Sequence, residues 1–495
     1  MWARSLTHCC PYSGNYHYTR FHLLVFLVSL ILLFDEPYQW EYGTTNLAIL
    51  TGISAASLTI SHLVTNKLLT RVNTQLLPFL TISLILIPPT RLPTDPMYAF
   101  NPYKHDFDHA LSHNMSCNNN EVPPALYSNP TSAFAFHLST HWLSTNTTSY
   151  PTSTSSPFAF SGDTRTTLPF ILASITLPPA TYHRRWVPTT DGEHVAVDCA
   201  FPAAGHDEIG DVYLLLHGLN GGSDEEYVKD FVLAGTRRGD TVCCLIARGL
   251  MATPVVSGRM FNGARIDDVH KVAGAIKGGM GEEQKLVGVG YSMGAIVLSN
   301  YVARIGDECA MDAAIGIGGG IDMKWNFINH RSRWLWQPLL ARTLLDSLIM
   351  RFVPNHLQNA IESKIITKAQ LDATLAASDV TTIDEHMITP YNGFSTVLDY
   401  YTAMSSVAHM HQVAIPLAMV GAADDPLVCE KAQVGDPEKV VGSNGGGKVF
   451  LLLTEKGGHV GFPTGYNIGE TKWQWMTEVV HSFVDSVKVA EGKAE

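Results

Sequence analysis

From residue 182 onward, short apolar runs of strand length alternate with stretches whose apolar positions recur every three or four residues. The runs at 212–216, 241–247, 285–289, 313–317, 416–420 and 448–453 are nearly continuous in apolar residues, the pattern of strands buried on both faces. Between them, 225–238, 267–277 and 293–305 carry the helical period, as does 471–489 after the last strand. Strand and helix in alternation predict a mostly parallel sheet flanked by helices, with ligands gathering beyond the carboxyl ends of the strands. The alternation lapses between Asp322 and Met410. There Trp325, Trp334 and Trp336 precede Leu340, Leu344, Leu345, Leu348, Ile349 and Phe352 at mostly helical spacing. This predicts a helical cap insertion over about 322–410, its stripe either lining a ligand pocket or packing on the sheet.

The amino-terminal part has a different texture. Three apolar runs, 21–34, 47–64 and 76–87, fall within residues 1–90, and only the middle one approaches the roughly 20 residues that a bilayer-spanning helix needs. Arg4 and Arg20 precede the first run, Asp35, Glu36 and Glu41 follow it, and Lys67 and Arg71 follow the second. The positive-inside bias places the terminus and residues 65–75 on the cytosolic side. No convincing small-residue cleavage site follows Phe34, so residues 1–90 read as a retained membrane-anchor region. Residues 91–180, rich in Pro, Ser, Thr and Asn, read as a low-complexity linker. Its apolar stretch 168–177 is too short to span and reads as a membrane-surface or domain-docking segment. Residues 181–490 remain as the catalytic domain.

Composition narrows the partners. The 495 residues are 46% hydrophobic and only 16% charged, which argues against global disorder and is consistent with a large enzyme core plus apolar segments. A net charge of −12 has the wrong sign for a polyphosphate surface, so nucleic acid is excluded as an expected partner. The eight cysteines lack the paired short spacings of zinc sites, and Cys243 and Cys244 sit in one strand, facing opposite ways. No metal and no cofactor is expected.

The candidate chemistry lies at strand ends. Gly290-Tyr291-Ser292-Met293-Gly294 follows a strand and opens directly into the helical run Ala295-Ile296-Val297-Leu298. Glycines two before and two after the serine permit the sharp strand-to-helix turn that pushes a hydroxyl out at a helix N-terminus, a nucleophile elbow. A serine hydroxyl needs a base, and the base needs an orienting carboxylate, in the chain order Ser, acid, His. The strand at 416–420 runs into Gly421-Ala422-Ala423-Asp424-Asp425-Pro426, and the last strand into Gly457-Gly458-His459-Val460-Gly461-Phe462. Only His459 and His481 follow the aspartate pair, and His481 falls within the terminal helix. His459 is therefore the candidate base. Asp425, just before Pro426, is favoured as the acid, with Asp424 as the alternative. The two oxyanion donors are expected to be the N–H groups of Met293, next to the serine, and Leu219, in the glycine-rich loop His217-Gly218-Leu219-Asn220-Gly221-Gly222. His217 precedes the serine and is expected to brace that loop.

These pieces, with Thr190-Asp191-Gly192, Arg248-Gly249, Arg259-Met260-Phe261-Asn262-Gly263-Ala264 and Asp399-Tyr400-Tyr401, give the chain its resemblance. It resembles the YheT-like branch of the α/β hydrolases, which includes the mammalian α/β-hydrolase-domain proteins one to three and the yeast ethanol acyltransferases. The likeness covers about three fifths of the chain, from 182 to 490. It implies an α/β-hydrolase fold and a membrane-anchored serine hydrolase of acyl esters, and it carries the triad onto Ser292, Asp425 and His459. Ala295, where glycine is more usual, and the glycine-rich insertion 441–448 depart from the family pattern without removing a catalytic group.

The expected function is hydrolysis of lipid or short- to medium-chain carboxylic esters through an acyl-serine intermediate, at a membrane, with an endomembrane as the expected location. Transfer of the acyl group to an alcohol is the alternative. A membrane scaffold of the same fold without activity is the third reading, disfavoured because a scaffold has no chemical need for all three side chains.

Overall fold

The computed structural model describes residues 124–492 apart from 152–158, 174–175, 204–209, 257, 329, 347–355 and 357–358. The anchor expected over 1–90, the first part of the linker, and Leu348, Ile349 and Phe352 of the cap stripe lie outside the described residues. Among the described residues no helix is long and apolar enough to cross a membrane.

Nine strands form one sheet. In chain order they are β1 (Ala125–Tyr127), β2 (His183–Pro188), β3 (His194–Ala200), β4 (Val212–Leu216), β5 (Thr241–Ile246), β6 (Leu286–Tyr291), β7 (Ala313–Ile317), β8 (Leu417–Ala422) and β9 (Val449–Thr454). Their spatial order is β1-β9-β8-β7-β6-β4-β5-β3-β2. The six strands from β9 to β5 are mutually parallel, while β2 on β3, β3 on β5 and β1 on β9 are antiparallel. This is the expected α/β-hydrolase sheet, mostly parallel and flanked by helices. The exchange of β4 and β5 opens a crevice where the chain leaves β4 and β6, the topological switch point at which such sheets bind ligands.

Nine helices matter for the argument: α1 (Ala133–Ser144), α2 (Gly162–Ala173), α3 (Glu226–Arg238), α4 (Asp267–Lys277), α5 (Met293–Ile305), α6 (His330–Leu344), α7 (Lys368–Leu375), α8 (Val397–Met404) and α9 (Gln474–Glu491). One core joins α1, α3 and α9 to one face of the sheet through residues such as Trp142, Phe231 and Phe483. A second joins α4 and α5 to the other face through Val269, Val272 and Leu298. Adjacent cysteines of β5 divide between them, Cys244 entering the first and Cys243 the second, as strand alternation requires. The segment between β7 and β8 contributes α6, α7 and α8. Their apolar residues, with Met260, Ile296 and Met323, form a third cluster over the serine end of the sheet.

The linker expected over 91–180 is corrected where it is described. β1 pairs with β9 and covers that sheet edge. On α1, Ala135, Leu138 and Trp142 are fully buried, and the Trp142 indole N–H donates to Ser482 Oγ of α9 at 3.1 Å. α2 sets Phe170 edge-on against Tyr227 and Trp473, with ring centroids 5.9 and 5.3 Å apart, so the short apolar stretch docks on the domain. The polar residues that gave the segment its linker-like composition act as local hydrogen-bonding groups. Ser132 caps α1 by accepting from Ala135 N–H, and Ser161 accepts from Thr164 N–H at the start of α2. A few apolar residues spaced one and two turns apart are enough to bury one face of a helix, and composition does not register spacing.

Candidate active site

Ser292 is the residue between β6 and α5, with φ 53° and ψ −118°. A non-glycine residue in that conformation is strained by on the order of 1–3 kcal/mol, and the surroundings hold it there. Its N–H donates to Ile317 O of β7 at 2.9 Å. The elbow glycines are steric necessities. A Cβ on Gly294 would lie 2.0 Å from the Leu216 carbonyl oxygen, and one on Gly290 would lie 2.6 Å from Ala295 Cα. Helix α5 therefore starts in contact with the end of β4.

His459 follows β9 and Asp425 follows β8. The Ser292 hydroxyl and His459 Nε2 are 2.8 Å apart, and His459 Nδ1 lies 2.8 Å from Asp425 Oδ2. The Asp425 side chain is fully buried. Its other oxygen, Oδ1, accepts from Leu427 N–H at 2.8 Å and Val428 N–H at 3.0 Å, so the carboxylate has its charge shared among three donors. Asp425 is thus the member of the aspartate pair that touches the imidazole. Asp424 points elsewhere, its Oδ1 accepting from Gly458 N–H at 2.8 Å and its Oδ2 from Arg165 Nη1 at 2.9 Å. Burial pushes the Asp424 carboxyl up, while those donors pull it down.

The loop after β4 lies against the serine, for a Cβ on Gly218 would stand 3.4 Å from Ser292 Cβ. Among the described residues neither Leu219 N–H nor Met293 N–H has an acceptor, so both expected donors are free. Met293 lies in the first turn of α5, where backbone N–H groups lack helical partners and the helix dipole favours negative charge. His217 sits beneath the loop with both nitrogens engaged, Nδ1 donating to Gly218 O at 2.7 Å and Nε2 accepting from Ala247 N–H at 3.1 Å. Burial lowers its pKa, so it is a neutral brace. Gly218 N–H donates to the Tyr227 hydroxyl at 2.8 Å, fixing the loop from the other side.

The remaining motif residues build the frame. Arg248, with a side chain 1% exposed, makes paired hydrogen bonds to both Asp191 and Asp268. Asp198 accepts from Arg184 Nε and Nη2 at 2.7 and 2.8 Å and from Ser223 Oγ at 2.5 Å, tying β3 to the loop after β4. Tyr400 accepts from Gly263 N–H, and Tyr401 donates to Asp384 in the cap. The cap cluster packs on Leu219 and Met293, so the residues carrying the free N–H groups are also the floor of an apolar surface. Sequence reasoning missed Arg165 and Thr166, which contact Asp424 and the backbone of His459. The signal available was the Ser161–Thr164 pairing ahead of a short helical run, which Pro169 obscured.

The family model described as serine aminopeptidase, S33, matches residues 212–460, half of the chain. The monoacylglycerol lipase of Saccharomyces cerevisiae is 28% identical over 268 residues, 53% of this chain and 57% of that protein. Phospholipase ABHD3 of Homo sapiens is 25% identical over 370 residues, 72% of this chain and 83% of that protein. Monoacylglycerol lipase ABHD2 of Danio rerio is 24% identical over 336 residues, 66% and 78% of the two chains. The match thus spans little more than half the length of the yeast relative.

Proposed function

We propose that this chain, which belongs to the α/β-hydrolase family described as serine aminopeptidase S33, is a serine hydrolase of lipid carboxylic esters that works at a membrane surface. One observation carries the reading: a continuous relay from buried Asp425 through His459 to the hydroxyl of Ser292, on the strand-to-helix elbow between β6 and α5. Ser292 Oγ attacks the ester carbonyl while His459 Nε2 takes its proton, and Asp425 stabilises the imidazolium. The tetrahedral oxyanion is bound by Leu219 and Met293 N–H. The imidazolium returns the proton to the departing alcohol, leaving an acyl-serine. Water then attacks the acyl carbon while giving a proton to His459, and the imidazolium passes that proton to Ser292 Oγ as the acyl–oxygen bond breaks and the acid leaves.

The lipid assignment is supported by the apolar cap cluster over the serine, since each buried methylene of an acyl chain contributes about 0.8 kcal/mol. The names of the lipase and phospholipase relatives agree with it. Attachment to a membrane is supported by the three apolar runs before residue 90. The relay is indifferent to whether water or an alcohol opens the acyl-serine, so acyl transfer shares this chemistry.

The test is reaction of the full chain with a fluorophosphonate probe, followed by turnover of monoacylglycerol and phospholipid esters in vesicles. A single adduct on Ser292, abolished together with turnover in Ser292→Ala, is expected. Absence of an adduct in folded protein refutes the enzyme and leaves the scaffold reading.

A further inference from the structure

The loop that carries His459 is built on unfavourable backbone. Gly458 has φ 68°, Val460 φ 52° and Phe462 φ 44°. Two non-glycine residues with positive φ within three positions do not persist unless neighbouring structure over-determines them. Part of that hold comes from below, where Trp473 Nε1 donates to Val460 O at 2.9 Å. The rest comes from the first turn of α2, in the segment whose composition reads as linker.

Three contacts define the grip. His459 N–H donates to Thr166 Oγ1 at 2.8 Å, and that hydroxyl in turn donates to Gly162 O at 2.6 Å. Arg165, with a side chain 5% exposed, pairs with Asp424 at 2.9 Å, and Asp424 accepts from Gly458 N–H, the residue before the histidine. The backbones meet without room for side chains. A Cβ on Gly458 would lie 2.7 Å from Gly162 O, and one on Gly461 would lie 2.1 Å from Arg165 O. The glycines flanking His459 are there because α2 lies on them.

The same turn touches the cap. Trp336, on α6, donates its indole N–H to Asp163 Oδ1 at 2.7 Å, and both residues are buried. A chain of hydrogen-bonded and covalently adjacent groups therefore runs from the cap through Asp163 and Thr166 to the backbone of His459.

We propose that the first turn of α2 is the positioning element of the histidine, with Thr166 and Arg165 as its positioning residues, and that the cap acts on the histidine through Trp336. The proposal rests on the hydrolase reading above. The hydrogen bonds of Thr166 and Arg165 go to Gly162, to the backbone of His459 and to Asp424 rather than to Ser292 or the imidazole ring. They act by holding His459 Nε2 at hydrogen-bonding distance from the hydroxyl, where a displacement of about 1 Å costs up to about a hundredfold in rate.

Thr166→Val and Thr166→Ser decide the first part in the full chain. Valine keeps the shape and removes the acceptor, leaving a buried N–H unpaired, whereas serine keeps the hydroxyl. Hydrolysis of a short soluble ester, normalised to the fraction of molecules labelled by fluorophosphonate, is expected to show kcat lowered about tenfold in the valine variant with KM within about twofold. Serine is expected to restore kcat to within about twofold. A valine variant with unchanged kcat, or a serine variant as impaired as valine, overturns the positioning role. Trp336→Phe decides the second part: about a threefold loss of kcat is expected in the natural background and none in the Thr166→Val background. Losses that multiply independently overturn the link to the cap. Turnover or labelling that survives Ser292→Ala would overturn the hydrolase reading instead, so the two failures are distinguishable.

Discussion

Replacing Asp425 by asparagine exchanges one oxygen for an amide nitrogen, and the structure dictates which. Oδ1 accepts two main-chain N–H groups, from Leu427 and Val428, so the asparagine oxygen must take that position. Flipping the amide would set its N–H₂ against both donors. The amide nitrogen then faces His459 Nδ1, where Oδ2 stood at 2.8 Å. Being a donor, it selects the tautomer with an unprotonated Nδ1 and a proton on Nε2. The imidazole now presents N–H to Ser292 instead of a lone pair, and the buried charge that stabilised the imidazolium is gone. Loss of tautomer and charge together is expected to lower kcat by about 10⁴, equivalent to about 5 kcal/mol of transition-state stabilisation. KM should change little, because Asp425 is buried behind the imidazole. Asp424→Asn removes only the partner of Arg165 and Gly458 and is expected to cost about tenfold or less. The assay is hydrolysis of a soluble ester across pH, alongside thermal unfolding to confirm a native fold. An Asp425→Asn enzyme within about tenfold of the parent, or an Asp424→Asn enzyme that is the more impaired, would refute the assignment of the acid and the tautomer argument with it.

Asp384, buried in the cap with Tyr401 donating to it, has its carboxyl pushed up from 3.8 to about 7 by burial. Its folded pKa exceeds its unfolded one, so the native state gives up stability as pH rises from about 4 through about 7, on the order of 4 kcal/mol above that window. Asp384→Asn should therefore raise the melting temperature at pH 8 and leave it nearly unchanged at pH 4, and parallel shifts at both pH values would count against this. Arg248→Met takes from Asp191 and Asp268 the guanidinium that hydrogen-bonds both and should destabilise the chain by about 3–5 kcal/mol in denaturant unfolding, whereas a loss under about 1 kcal/mol would show the pairs to be dispensable. Gly294→Ala sets a methyl 2.0 Å from the Leu216 carbonyl oxygen and should abolish fluorophosphonate labelling, a result that labelling at the parental rate would contradict. Added primary alcohol should leave the free acid as the main product if water is the acceptor, and dominant ester formation would instead assign acyl transfer.

Much of the chemistry was legible along the chain because it is local. The six parallel strands are written as continuous apolar runs, since a strand covered by helices on both faces has no solvent side to mark. The elbow is a five-residue device whose glycines answer contacts made within the same strand-turn-helix unit or with the adjacent strand. The chain order of serine, acid and histidine follows from strands ending at one edge, so Ser292 and His459 stood out before any distance was known. What the sequence favoured without deciding was the choice between near neighbours. Asp424 and Asp425 are chemically identical and adjacent, and only the direction in which each side chain leaves the turn after β8 separates the one that meets an imidazole from the one that meets Arg165. The part played by residues 125–173 was invisible for the same kind of reason. Many of their contacts reach partners about 250 to 350 positions away, such as Leu453 for β1, Ser482 for Trp142 and His459 for Thr166. Hydrophobic period records which face of a segment is buried, but not against what. Sequence thus determined the sheet, the elbow and the triad order, whereas the packing of α2 on the histidine loop exists only in three dimensions, where backbones far apart along the chain meet over glycines too small to keep them apart.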